Sequence, residues 1–405
     1  MTTMRSKTPV LAAAISGMAL LAAGCGTVSS GHGAAALTAP APSARASSAA
    51  ASASCAGSAA NSAPLQVPAL DAVQFVSARQ GWVAGAGHVL ATSDGGHTWT
   101  TQYSGPDALD QVDFVDAQHG WAAGVASLLR TTNGGATWTV MQDPCGSIRS
   151  VHFVTPDVGY AVAGGSQIRT DGGVPAPAVG GQLLTTTDGG QHWTAVSGAP
   201  AQVQTACFTS TASGFLGTPG KIWRTSDGGQ HWSLAFSEPA ASGAVHPGPD
   251  TTVLQCAGNS AAWVLFLGQG AALGHSPYLA YALQNAHTAR PLFEEAYIES
   301  AARPQVHAPD GPGSYPGPFS AISPDAAVFV GFDPAVGYGA AAVMTVTGSS
   351  LSRQGDVSGI SQAYGVAFVS DTQGWVVGEN ARTGEYSIDA TADGGHTWTR
   401  QYQMR

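Results

Sequence analysis

The sequence predicts an all-β protein: a seven-bladed β-propeller of four-stranded blades, preceded by a signal peptide and a disordered tether. Three observations predict it. A turn of fixed chemistry occurs five times, a Phe-to-aromatic step keeps register with it, and successive copies lie 39 residues apart, as from Phe75 to Phe114 to Phe153. A constant period in this range carries about four short strands, which is what a propeller blade requires. With 53 Gly and only 10% charged residues, the composition is that of a turn-rich, strand-rich chain.

The turns occupy residues 92–99, 131–138, 186–193, 225–232 and 391–398, and each runs from Thr to Trp. Asp94, Asn133, Asp188, Asp227 and Asp393 accept backbone N–H bonds inside the turn, and the Gly-Gly pair that follows supplies positive φ. Trp99, Trp138, Trp193, Trp232 and Trp398 anchor the outgoing strand by burying a large ring. These residues resemble the Asp-box, or BNR, repeat of β-propellers. That resemblance speaks for architecture, because the box is itself a structural turn.

Phe75, Phe114, Phe153, Phe208 and Phe368 each precede an aromatic by seven residues: Trp82, Trp121, Tyr160, Phe215 and Trp375. One blade then reads as strand A near 73–77, B at 82–84, C at 89–92, the box, and D at 98–103. Two weaker copies fill the interval between the fourth and fifth boxes. Cys256 to Trp263 keeps the step, and 284–289 reads as a decayed box without Asp or Trp. Ile322 to Phe329 keeps it again, with Asp325 where Asp371 lies in the last copy. Five clear and two decayed copies give seven blades in one domain, residues 66–405. The first and last blades are complete from A to D, so closure needs no exchanged strand, although 65–70 offers an additional edge strand.

Arg5 and Lys7 precede a short apolar run that ends in Leu21-Ala22-Ala23-Gly24-Cys25. This pattern predicts a secretory signal over residues 1–25, too short for a membrane span. The LAAGC sequence resembles a bacterial lipobox, so Cys25 is the expected lipidation site and the outer face of a bacterial cell membrane the expected location. Residues 26–65, almost wholly Ala, Ser, Gly, Thr and Pro, cannot bury a core and predict a flexible linker with a reach of roughly 35 Å.

The formal net charge of −10 argues against nucleic acid and anionic lipid as partners. No Cys/His spacing matches a zinc site, and no metal or cofactor is expected. In an oxidising compartment, Cys207 and Cys256 stand where alternation of side chains turns them toward each other across adjacent blades, and a disulfide between them is predicted. Cys145–Cys207 is the rival pairing.

Loop lengths locate the expected site. The boxes are short, uniform C–D turns, whereas the insertions (164–181, 237–251, 268–276 and 297–318) all fall in B–C or D–A connections, on the opposite face. Elaborated loops on one face of a rigid scaffold are the usual place for binding. Arg149, Arg169, Asp171, His246 and His275 are the contact candidates there, chosen by loop position.

Asp-box propellers include sialidases, whose site gathers three arginines on a carboxylate, a Tyr with an adjacent Glu as nucleophile, and an acid. The Arg-Ile-Pro signature of that family is missing, since Arg79 is followed by Gln80-Gly81. Glu294 and Glu295 read as solvated charges on an outer strand, and Glu379 and Glu385 stand in no motif. The histidines His97, His192, His231 and His396 are box positions. A second resemblance fits better. Arg130 and Arg224 directly precede boxes, and Arg169 precedes Thr170-Asp171-Gly172-Gly173. With the Gly-Trp strand B, this combination resembles the photosystem II assembly and stability factor family of seven-bladed propellers. The resemblance implies a non-catalytic module that docks another protein or a glycan; the partner is expected to be an envelope or extracellular protein or a glycan, and the chain a monomer. Ala91, Thr185 and Ala390 stand where an Arg would be, and the charge is acidic, so photosynthesis itself is not implied. The alternative expectation is a sialidase-like glycoside hydrolase or lyase.

Overall fold

The computed structural model describes residues 69–124, 127–142, 148–164, 180–239, 251–258, 260–268, 278–284, 288–295, 309–333 and 339–405. Cys25, Cys145, Arg169, Asp171, His246 and His275 lie outside the described residues.

Among the described residues there is no helix, and 28 strands form seven four-stranded antiparallel sheets. Each sheet is one contiguous stretch of chain: 72–104, 109–141, 148–195, 205–237, 251–295, 319–357 and 362–404, blades 1 to 7. In blade 1 the strands are Ala72–Phe75 (A), Gly81–Gly85 (B), His88–Thr92 (C) and Thr100–Ser104 (D). The A strands neighbour one another around the ring, so A is innermost and the largely exposed D is outermost. Strands B and C are sandwiched between neighbouring blades and read as nearly continuous apolar runs, as in Trp263-Val264-Leu265-Phe266.

The box turns carry the predicted hydrogen bonds. In blade 1, Asp94 Oδ1 accepts from Thr98 N at 2.9 Å, and Thr92 Oγ1 accepts from Gly96 N at 2.8 Å. Asn133 does the same for Thr137 N at 2.9 Å. Gly95 and Gly96 sit at φ 81° and 95°, where a side chain would be strained.

Between blades, the two sequence patterns meet as a three-ring stack. Trp82 of blade 1 lies flat on Phe114 of blade 2, ring centres 3.5 Å apart, and Trp138 of blade 2 meets the same Phe edge-on at 5.9 Å. Trp121, Phe153 and Trp193 repeat it, as do Tyr160, Phe208 and Trp232. The last blade joins the first in the same way, through Trp375, Phe75 and Trp99. Among the described residues no strand is exchanged; residues 69–70 form a bend, and 65–68 of the expected edge strand lie outside the described residues.

Blade 6 departs from the expected register. Its A–B turn is short, pairing Ser323 with Ala326, so the step from Ile322 to Phe329 is not the one used elsewhere. Register with strand C puts Val328, opposite Thr345, where Trp82 stands opposite Ala91. Phe329 instead faces blade 5, packing on Phe319 at 5.1 Å and Phe293 at 4.8 Å. Glu294 also differs from expectation. It is only 5% exposed, because the returning D–A link pairs alongside strand D, with Glu294 N donating to Pro309 O at 3.0 Å.

Candidate functional site

The innermost strands would expose a row of unpaired backbone groups to the channel, a cost that sheets must offset. In six of the seven blades one position does so, the residue opposite the strand B aromatic (opposite Val328 in blade 6); in blade 7 that position is Ala367. Gln74 accepts from Phe114 N at 2.6 Å and donates to Phe114 O at 3.2 Å. Gln255 bridges Ala321 N and Phe319 O likewise, at 2.9 and 2.6 Å. Asp113 accepts from Phe153 N at 2.6 Å, and Ser320 Oγ accepts from Phe368 N at 3.0 Å. In blade 4 the position is Cys207, and its link to the next blade is covalent, a disulfide to Cys256 with Cα atoms 5.7 Å apart.

In blade 3 the position is His152, whose Nε2–H donates to Phe208 O at 2.6 Å. Its Nδ1 lies 3.7 Å from Asp113 Oδ1, with 35% of the side chain still open to solvent. Burial alone would push the imidazole down, but the Asp113 carboxylate and the Phe208 carbonyl favour the proton and raise it above its ordinary value. Asp113, His152 and the Phe208 carbonyl thus tie three consecutive blades together.

The face opposite the boxes carries the long connections. Arg149 lies at that end of strand A of blade 3, half-buried. Of the five contact candidates it alone is described; Arg169, Asp171, His246 and His275 lie outside the described residues.

A group that sequence reasoning missed lies on the same face, at the seam of blades 7 and 1. A register shift between Ala363 and Gly365 sets Tyr364 out of the strand A ladder. Its hydroxyl donates to Glu379 Oε2 at 2.9 Å, and its ring stacks on Tyr386 with centres 6.2 Å apart. Buried Asp71 adds negative charge. Burial first, then the bond and charge of Glu379, push the Tyr364 phenol far up, and burial pushes Tyr386 up too. A phenol so raised stays protonated: it serves as a donor and a flat stacking surface, and is a poor nucleophile. Only the bulge betrays this group in advance, and a bulge leaves no mark in a single sequence.

The arginine before the box has a structural use. Arg130 lies over the Trp121 ring at 5.9 Å and donates to Pro156 O of blade 3 at 3.4 Å, clamping a seam.

A family model described as "Photosynthesis system II assembly factor YCF48" matches residues 58–142 and 102–248. The chain is a BNR-type β-propeller, similar to that family. No curated protein matches the sequence. Among solved structures, an ancestral GH74 enzyme superposes with a TM-score of 0.51 at 12% identity, covering 84% of this chain and 47% of the enzyme. The chain thus spans about half the length of that enzyme. A chain of the Mitotic Checkpoint Complex gives 0.50 at 9% identity, over 81% of this chain and 90% of the other. The RRP9 WD40 repeats give 0.50 at 8%, over 76% and 87%. At these identities the likeness of the BNR-type propeller to all three is one of fold.

Proposed function

We propose that this BNR-type propeller is an exported, lipid-anchored, non-catalytic scaffold that docks a protein or glycan at the cell envelope through the face opposite its boxes. The observation that supports this reading is the asymmetry of the connections. Strand B of blade 3 ends at Ala163 and strand C begins at Gln182; strand D of blade 5 ends at Glu295 and the next strand A begins at Phe319. The connections on the box face stay short in every blade. A rigid ring with elaboration on one side is suited to presenting a surface. Crosslinking of the intact chain in membranes, with mass spectrometry of what co-purifies, tests this. Adducts at 164–181 or 297–318 are expected; adducts confined to the box face would put docking on the other side. Loss of lipid labelling in Cys25→Ser tests the anchor.

The alternative, a sialidase-like glycoside hydrolase or lyase, would rest on the Glu379 carboxylate on the loop face, because the Tyr364 phenol that donates to it is a poor nucleophile. Hydrolysis of an extracellular glycan that Glu379→Gln abolishes would establish it and overturn the scaffold reading.

A further inference from the structure

Three seams of the ring share one polar contact. An indole N–H from strand B donates to the carbonyl of the first box glycine of the next blade: Trp82 to Gly134 at 3.4 Å, Trp121 to Gly189 at 3.1 Å, and Trp375 to Gly95 at 3.1 Å. At two of them a glutamine from the strand D bulge adds a second donor, Gln102 at 3.0 Å and Gln401 at 3.2 Å. The seam between blades 6 and 7 has the same box, with Gly394 in the acceptor's place, but not these donors. Val328 stands at the indole position. Gln354 occupies the strand D bulge as Gln102 does, yet donates to Thr345 Oγ1 at 2.5 Å and Ser352 Oγ at 2.7 Å.

The outcome is a cavity of about 260 Å³, bounded by Val328, Thr345 and Gln354 on blade 6 and by Asp371, Gly394 and His396 on blade 7. Whole-ligand pockets begin near ~300 Å³, so this one suits a single side chain. The three intact seams say which: a flat ring whose N–H reaches the glycine carbonyl. Exposed Asp371 at the rim, on a chain of net charge −10, favours a cation beside that ring. The chain's own linker cannot supply the ring, because residues 26–65 contain no Trp, Tyr or Phe.

We propose that the cleft between blades 6 and 7 binds the indole of a partner's tryptophan flanked by Lys or Arg, with the indole N–H donating to Gly394 O. The site is on the box face and independent of the loop-face docking surface.

Tryptamine is the probe, titrated into the full chain by calorimetry and by NMR of the Val328 methyls. Saturable millimolar binding that shifts those methyls is expected, at least tenfold weaker for 1-methyltryptamine, which lacks the donor, and for anionic indole-3-acetate. Val328→Trp fills the cleft from within, so it should raise Tm and abolish binding. No saturable binding, unshifted Val328 methyls, or equal affinity for the three ligands would overturn the proposal. Because the methyl readout uses the unaltered protein, failure of Val328→Trp to fold leaves the test intact.

Discussion

Phe75 and Trp375 lie 300 residues apart in sequence and stack with ring centres 3.4 Å apart and 5° between their planes. They join the first blade to the last. Trp82 and Phe114 make the same contact in mid-chain at 3.5 Å and 7°. The closing seam is therefore built like an internal one, with no exchanged strand among the described residues.

Phe75→Ala and Phe114→Ala should consequently cost similar amounts, about 3–5 kcal/mol each, as for truncation of a buried aromatic. Urea denaturation of the two variants checks this. A much smaller loss for Phe75→Ala would mean that the ring opens readily at its ends.

The Cys207–Cys256 bond links residues 49 apart, in adjacent blades, at the position where other blades use a hydrogen-bonding side chain. Replacing both by Ser should lower stability by roughly 2–4 kcal/mol, the usual range for closing such a loop. Reductant should have the same effect on the wild type and none on the double variant, read as Tm with and without dithiothreitol.

The box carboxylates make the fold acid-sensitive. Hydrogen bonds from Thr397 hold Asp393 well below its ordinary 3.8, and bonds from His231 hold Asp227 at about 2. A depressed carboxylate stabilises the native state above its unfolded pKa, and that stability is lost as pH falls through the folded one, here from about pH 4 downward. Asn133 shows that an amide can serve, taking Thr137 N at 2.9 Å and donating to Thr137 Oγ1 at 2.9 Å. Asp393→Asn should leave Tm at pH 7 little changed and flatten its fall below pH 4. An unchanged fall would remove Asp393 from the account.

His152 should titrate above 6.5 in the folded protein. Because its pKa is raised, the stability it contributes is full below 6.5 and is lost as pH rises through the folded value. NMR titration of its ring protons reads the shift directly, and Asp113→Asn should bring it down, since the carboxylate is the partner that holds the proton.

What the sequence disclosed followed from local chemistry. Thr92 to Trp99 is a complete turn instruction, so its place between strands C and D was readable from eight residues. Blade 6 was misaligned because Ala321 and Val328 replace the two rings that mark register, and Phe329 then supplied a coincidental seven-residue step. The capping row was hidden for another reason. Gln74, Asp113, His152, Cys207, Gln255 and Ser320 share no single residue type, only a place opposite strand B, which appears once the blades are paired. Tyr364 and Glu379 are 15 residues apart and meet only across a bulged ladder.

Contiguous blades and an ordinary closing seam have a topological consequence. Ala69 and Leu70 line the same small cavity as Tyr402 and Met404, so the two ends of the ring come within reach of each other. A circular permutant that bridges 404 to 69 with a short linker, keeping buried Leu70 and Asp71, and opens between Ser104 and Leu109 would keep every sheet and the closing seam. The closing seam would then become an internal one.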